Sequence, residues 1–266
     1  MNTYEIIILI VAGVFVGFIN TLAGGGSIIS LPLLMLMGLP ANVANGTNRI
    51  GILAQNIASV ASFKRQKVLE TKKGLLLGIP AVIGSLIGAW IAVDINEEIF
   101  KKAIAVIMLM MMVFMLVDPK KYLHGRQELT EKKINIWQIL IFFGIGLYGG
   151  FIQIGVGYLL IAGVVLGVGY DLVKTNAIKV LIVLLYTPFT LVIFIMNHQV
   201  NWSYGLMLTI GAFIGAMLAS KLAVKKGVNF VRWVIIFVII LTSLHLFDII
   251  NLQYIFQNII HSEIKQ

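Results

Sequence analysis

The 266-residue sequence contains no cysteine, which excludes disulfides, thiolate catalysis and cysteine-ligated metal together. Charge is scarce as well: only 12% of residues are Asp, Glu, Lys or Arg, against 59% hydrophobic residues and a mean hydropathy of +0.99. A chain this apolar carries more hydrophobic surface than a globule of its length can bury, so lipid must take the excess. No run alternates polar and apolar residues as barrel strands do. No carboxylate lies mid-way along an apolar run, so proton or sodium coupling has no evident carrier. No nucleophile, base and metal set falls at one depth; an enzyme is not expected, nor is any cofactor or metal.

What is present is a series of long apolar runs, at 5–22, 74–93, 99–117, 134–152, 177–196, 204–219 and 230–247. Each is about the length that spans roughly 30 Å of hydrocarbon as a helix. The expected fold is an all-α integral membrane bundle of roughly 8 to 10 segments, because helices satisfy their own backbone in lipid. The net charge of +9 comes from Lys and Arg held in short clusters between apolar runs. These read as topology signals and give no basic face for nucleic acid.

Sliding the chain by 131 residues places Gly13 on Gly144, Gly24 on Gly155, Gly26 on Gly157, Asn45 on Asn176, Phe63 on Phe194 and Gly84 on Gly215. The sequence reads as a duplication: 1–117 the first membrane repeat, 118–133 a connecting loop, and 134–266 the second repeat. Each half also has one short apolar element, 28–37 and 159–168, too short to span comfortably and open to either crossing or re-entry.

Three basic clusters set the expected orientation: Lys64, Arg65, Lys67, Lys72 and Lys73; Lys120, Lys121, Arg126, Lys132 and Lys133; and Lys221, Lys225 and Lys226. All three are placed in the cytoplasm, which puts Asp94, Glu97, Glu98, the stretch 197–202 and both termini outside. Each half then holds an odd number of crossings, so the halves are inverted relative to each other, as in many secondary transporters. The expected location is the cell membrane, with the lipid bilayer as partner and a homo-oligomer compatible with the sequence.

Two constellations carry chemistry. The first is Gly24, Gly25, Gly26 and Ser27, with its weaker mate Gln153, Gly155, Gly157 and Tyr158. Consecutive glycines break a helix at membrane depth, and the N-terminus of the next helix favours an anion. The competing reading is that these glycines only allow close helix packing, as expected for Gly84/Gly88 and Gly211/Gly215. The second constellation is Asn45, Thr47, Asn48 and Arg49, matched by Asn176 and Lys179. An Asn in a first helical turn can cap the helix or offer its amide to a ligand, and a nearby cation adds donors for an oxyanion. The alternative is that both cations snorkel to the headgroups; a position facing lipid would remove them from a site.

Gly24-Gly25-Gly26, then Pro32, then Gly38-Leu39-Pro40, then Ala44-Asn45-Gly46-Thr47-Asn48 form an ordered set that resembles the sulfite exporter TauE/SafE family of membrane permeases, along essentially the whole chain. The second half departs from the fuller glycine motif at Gln153-Ile154-Gly155-Val156-Gly157 and from a G-T-S-like turn at Asn176-Ala177-Ile178-Lys179. The resemblance implies an inverted-repeat exporter of small sulfur-containing oxyanions such as sulfite or sulfoacetate, a small anionic substrate being its partner. The other classes open to the sequence are a permease for a different small anion and a non-transporting membrane scaffold or assembly partner.

Overall fold

The computed structural model describes residues 1–116 and 126–222, together with 240 and 244. The expected segment 230–247, Lys120, Lys121, Lys225 and Lys226 lie outside the described residues, 240 and 244 apart. Among the described residues all regular structure is helical: α1 (Thr3–Leu22), α2 (Ser27–Leu36), α3 (Ala41–Arg65), α4 (Thr71–Asp94), α5 (Glu97–Leu116), α6 (Gln127–Thr130), α7 (Ile136–Phe151), α8 (Val156–Val168), α9 (Leu172–Met196) and α10 (Trp202–Leu222). Four of these, α1, α4, α9 and α10, are long and apolar enough to cross a membrane. The protein is an integral membrane helical bundle.

Local sequence explains several helix starts. Asn2 and Glu5 form a reciprocal capping box at α1, and Asn135 and Gln138 form another at α7. Asp171 caps α9 by accepting from the N–H groups of Val173 and Lys174. Two expectations are corrected here. Asn45 and Asn176 are expected in a first helical turn, able to cap it or to offer an amide to a ligand, but α3 begins behind Pro40 and α9 behind Asp171, so both lie a turn further in and neither caps.

Contacts between helices give their relative directions. Gly13 lies against Leu208 and Gly17 against Ala212, so α1 runs parallel to α10. Thr47 meets Asn201 at one end and Gln66 meets Ser220 at the other, so α3 is also parallel to α10. Gly146 lies on Ala81 and Gly150 on Ser85, while Gly74 meets Leu181 and Gly78 meets Leu185; α4, α7 and α9 therefore share a direction. Arg49 reaches Thr190, whereas Phe63 packs with Ala177 and Val180, so α3 and α9 are antiparallel. The pairs α1/α7, α3/α9 and α4/α10 thus run in opposite senses.

The gapless offset needs one revision. Methyl groups added to Gly17 and Gly146 would each meet an alanine carbonyl, 2.0 Å from Ala212 and 2.1 Å from Ala81 respectively. Those alanines are 131 positions apart, but the glycines are only 129 apart. The constant offset holds from the turn at Gly38 and Gly169 onward, both with positive φ, and the first arms are matched two residues shorter.

The short elements return to the side they came from. Gly26 N–H donates 2.8 Å to Asn20 Oδ1, folding the chain back on α1, and Ser27 and Ser30 of α2 both bond Asn48, near the start of α3. In the second half Gln138, at the start of α7, donates 2.6 Å to Gly167 O at the end of α8. Each long–short pair is therefore a hairpin. The positive φ of Gly24 (82°) and Gly155 (68°) makes the reversals, a conformation a side chain disfavours.

The ends of the bundle differ in charge. Lys64, Arg65, Lys72, Lys132, Lys133 and Lys221 gather at one end, where Lys73 donates to Lys132 O and Lys174 pairs with Glu70 at 3.1 Å. Asp94, Glu97, Glu98 and Glu5 lie at the other. Tyr4, Trp90, Trp137 and Trp202 are exposed near these ends, as headgroup anchors are.

Candidate functional site

The tips of the two hairpins meet inside the bundle. A methyl group on Gly24 would lie 2.4 Å from the Gly157 Cα, and one on Gly157 would lie 2.2 Å from the Gly24 Cα. Between them and α3 and α9 is a cavity of ≈ 20 Å³ bordered by Asn20, Gly24, Ser27, Gln55, Gln153, Gly157 and Lys179, among others. This is room for about one water molecule. The first turns of α2 and α8 open on it through Ser27, Val156 and Gly157, and such turns have N–H groups without intrahelical partners.

Neither membrane cation faces lipid. Arg49 is 0% exposed and Lys179 2%. Lys179 Nζ donates to Asn20 O at 2.8 Å, Thr21 O at 3.0 Å and Asn176 Oδ1 at 2.8 Å. Arg49 donates to Gly150 O at 2.6 Å, Thr190 Oγ1 at 3.0 Å and Gly149 O at 3.3 Å, with a longer contact of 3.4 Å to Gln153 Oε1. Its guanidinium carbon also stands 4.6 Å from the Phe194 ring centroid.

These two sets of contacts match. Asn20 and Thr21 are the counterparts of Gly149 and Gly150 at the shorter offset, so each half holds a cation against the last carbonyls of the other half's first hairpin arm. Positive charge there complements the negative end of the helix dipole. The eight described carboxylates all lie at helix ends or in connections, and none is buried. The two buried cations thus have no described carboxylate beside them, and the interior is electropositive.

The expected site residues separate into three groups. Gly24, Ser27, Gln153, Gly157 and Lys179 border the cavity. Gly25, Gly26, Asn48, Arg49, Gly155, Tyr158 and Asn176 support it: Gly25 lies against Tyr158, Asn48 bonds Ser27 and Ser30, Gly155 turns the chain beside Met111, and Asn176 accepts from Lys179. Asn45 and Thr47 do not border it. Asn45 donates 2.9 Å to Phe151 O, and Thr47 accepts from Asn201 N–H at 2.9 Å near the acidic end.

Sequence reasoning missed Asn20, Thr21, Ser59, Tyr186 and Thr190. Thr21 and Ser59 share a buried hydrogen bond of 2.8 Å, and Tyr186 accepts from Gln153 at 3.1 Å. Asn20 had a readable signal, an amide one turn before a triple glycine. Gln55 also borders the cavity, and its buried Oε1 has no hydrogen-bond partner among the described residues.

A bundle of opposed halves whose re-entrant hairpins meet at a buried cationic cavity has the architecture of a membrane transporter. The chain belongs to the sulfite exporter TauE/SafE family, which matches residues 9–246. It is similar to a probable membrane transporter protein of Haemophilus influenzae, 26% identical over 91% of this chain and 94% of that protein. It is likewise similar to the probable membrane transporter protein YfcA of Escherichia coli K12, 27% identical over 87% and 85% of the two chains. A third relative, the probable membrane transporter protein YunE of Bacillus subtilis, is 26% identical over 87% of this chain and 95% of its own. No solved structure matches the chain. The protein is a multi-pass membrane transporter and not an enzyme.

Proposed function

We propose that the chain is a secondary exporter of small sulfur-containing oxyanions, such as sulfite or sulfoacetate, working by alternating access in the cell membrane. The observation that carries this reading is a cavity bordered by the enclosed cation Lys179, with the enclosed Arg49 behind its lining residue Gln153, and by no described carboxylate. An interior of that kind disfavours a cation and favours an oxyanion. The family supplies the sulfur chemistry of the substrate. The basic end of the bundle is assigned to the cytoplasm and both termini to the outside.

A cavity of ≈ 20 Å³ is too small for sulfite, so the arrangement described corresponds to a closed state. In the proposed cycle, substrate oxygens compete for the Lys179 N–H groups that now bond Asn20 O and Thr21 O. Loss of those bonds frees the tip of the α1–α2 hairpin and enlarges the cavity. Arg49 holds the tip of the α7–α8 hairpin through Gly149 and Gly150 and is released in the opposite half of the cycle. Ser27 and the first turns of α2 and α8 donate to the anion from facing sides.

The test is thermal unfolding of purified full-length protein with sulfite or sulfoacetate, against chloride at equal ionic strength. A ligand at 100 times its dissociation constant stabilises by about 2.7 kcal/mol. The expected result is a rise in unfolding midpoint with sulfite or sulfoacetate that Lys179→Ala abolishes. Equal midpoints in all three anions would reject the substrate class.

A further inference from the structure

A second cavity lies away from the central site. At the basic end, α3 and α10 leave a groove of ≈ 420 Å³ lined by Ala58, Ala61, Arg65, Phe213, Met217 and Lys221, together with Ser62 and Gln66. Gln66 Nε2 donates 3.0 Å to Ser220 O and ties the last turns of the two helices together. The groove is on the outside of the bundle: Phe213 and Met217 are each 40% exposed, beside the exposed Ile57, Ile214 and Leu218.

Its chemistry changes with depth. Because α3 and α10 are parallel, Arg65 and Lys221 sit at the same level, in the last turn of each. Ala58 and Phe213 lie seven and eight residues earlier, which at about 1.5 Å per residue is roughly 10–12 Å deeper into the hydrocarbon. Arg65 and Lys221 are exposed, and neither forms a described salt bridge. The result is an apolar floor at acyl-chain depth with two cations that have no ion-pair partner among the described residues, and two neutral hydrogen-bonding side chains, at headgroup depth.

We propose that this groove is a binding site for an anionic phospholipid. One acyl chain lies along Ala58, Phe213 and Met217, and the phosphate sits between Arg65 and Lys221 with Ser62 and Gln66 beside it. Charge complementarity selects the occupant: a zwitterionic lipid fills the apolar floor equally well but brings its own cation to a site that already has two. The assignment does not depend on the transported substrate.

The experiment is native mass spectrometry of the full chain after exchange into micelles with equimolar phosphatidylglycerol and phosphatidylcholine. Phosphatidylglycerol should be retained preferentially, and Arg65→Ala with Lys221→Ala should lower retention on the order of tenfold. Lys72→Ala with Lys133→Ala removes the same charge from the same end and should leave retention unchanged. Equal retention of the two lipids, or an equal loss in both double variants, would overturn the proposal. Soluble glycerol phosphate should not displace the lipid; displacement would mean that free phosphate chemistry, not a lipid, is what the site holds. A photoreactive benzoyl group on the Phe213 ring should attach to phospholipid. Attachment to another part of the chain or to a second copy would assign the groove to that occupant instead.

Discussion

Gly24 and Gly157, from opposite halves, touch backbone to backbone where the hairpin tips meet, and a methyl group on either would stand 2.2–2.4 Å from the other's Cα. Neither helix arm can yield locally, since the obstacle on each side is main chain. Gly157→Ala should therefore strain the closed arrangement by about 1–3 kcal/mol, as overpacking does. Hydrogen–deuterium exchange should be faster across residues 20–30 and 150–160 in the variant and unchanged along α4 and α10. Unaltered exchange at the tips would mean that they do not meet as described.

Lys179 and Arg49 each hold the last carbonyls of the hairpin arm that faces them. Interhelical hydrogen bonds inside membranes average about 0.6 kcal/mol, so the two that Lys179 makes to Asn20 O and Thr21 O are together worth roughly 1 kcal/mol. Lys179→Met should lower the unfolding midpoint accordingly. Arg49→Lys should also destabilise, because a single ammonium cannot reproduce the fork that reaches Gly149, Gly150 and Thr190. Wild-type midpoints in both variants would show that these bonds do not hold the tips.

Gly88 and Gly144 offer a matched comparison on α4 and α7. A methyl group on Gly88 would stand 1.9 Å from Leu147 O, whereas one on Gly144 would have nothing within 4 Å. Gly88→Ala should cost about 1–3 kcal/mol by forcing the two helices apart. Gly144→Ala should be neutral or stabilising by up to about 1 kcal/mol, the helix propensity difference. Similar midpoints for the two variants would argue against close α4–α7 packing.

The absence of cysteine makes orientation directly measurable. Asn96→Cys and Lys67→Cys place single thiols at opposite ends of the bundle. In intact cells an impermeant maleimide should label position 96, and position 67 only after permeabilisation. The reverse pattern would invert the proposed topology.

Much of this arrangement was legible in the sequence because it depends on local chemistry. Apolar runs and basic clusters identify spanning helices and their ends, and the glycines at 24–26 mark a reversal whatever lies opposite. The mate at Gly155 and Gly157 was legible only through the repeat. What Arg49 and Lys179 bind was not legible. Their partners are backbone carbonyls more than ninety residues away, and a carbonyl has no signature in the sequence. The shorter offset in α1 was hidden for a related reason: it shows only when Gly17 and Gly146 are seen against Ala212 and Ala81. Asn45 and Thr47 looked like members of the site because they share a motif with Arg49. Successive helical positions face different neighbours, and theirs are Phe151 and Asn201.

The most direct test of the central claim is counterflow of radiolabelled sulfite in proteoliposomes preloaded with unlabelled sulfite. The wild-type chain should accumulate label transiently and saturably, and Lys179→Ala should reduce the initial rate on the order of tenfold, the effect of about 1.4 kcal/mol. Thr209→Ala, whose hydroxyl bonds Gly205 O within α10, should stay close to wild type. Wild-type uptake equal to that of protein-free liposomes, or a Lys179→Ala rate equal to wild type, would contradict an anion pathway through the meeting hairpin tips.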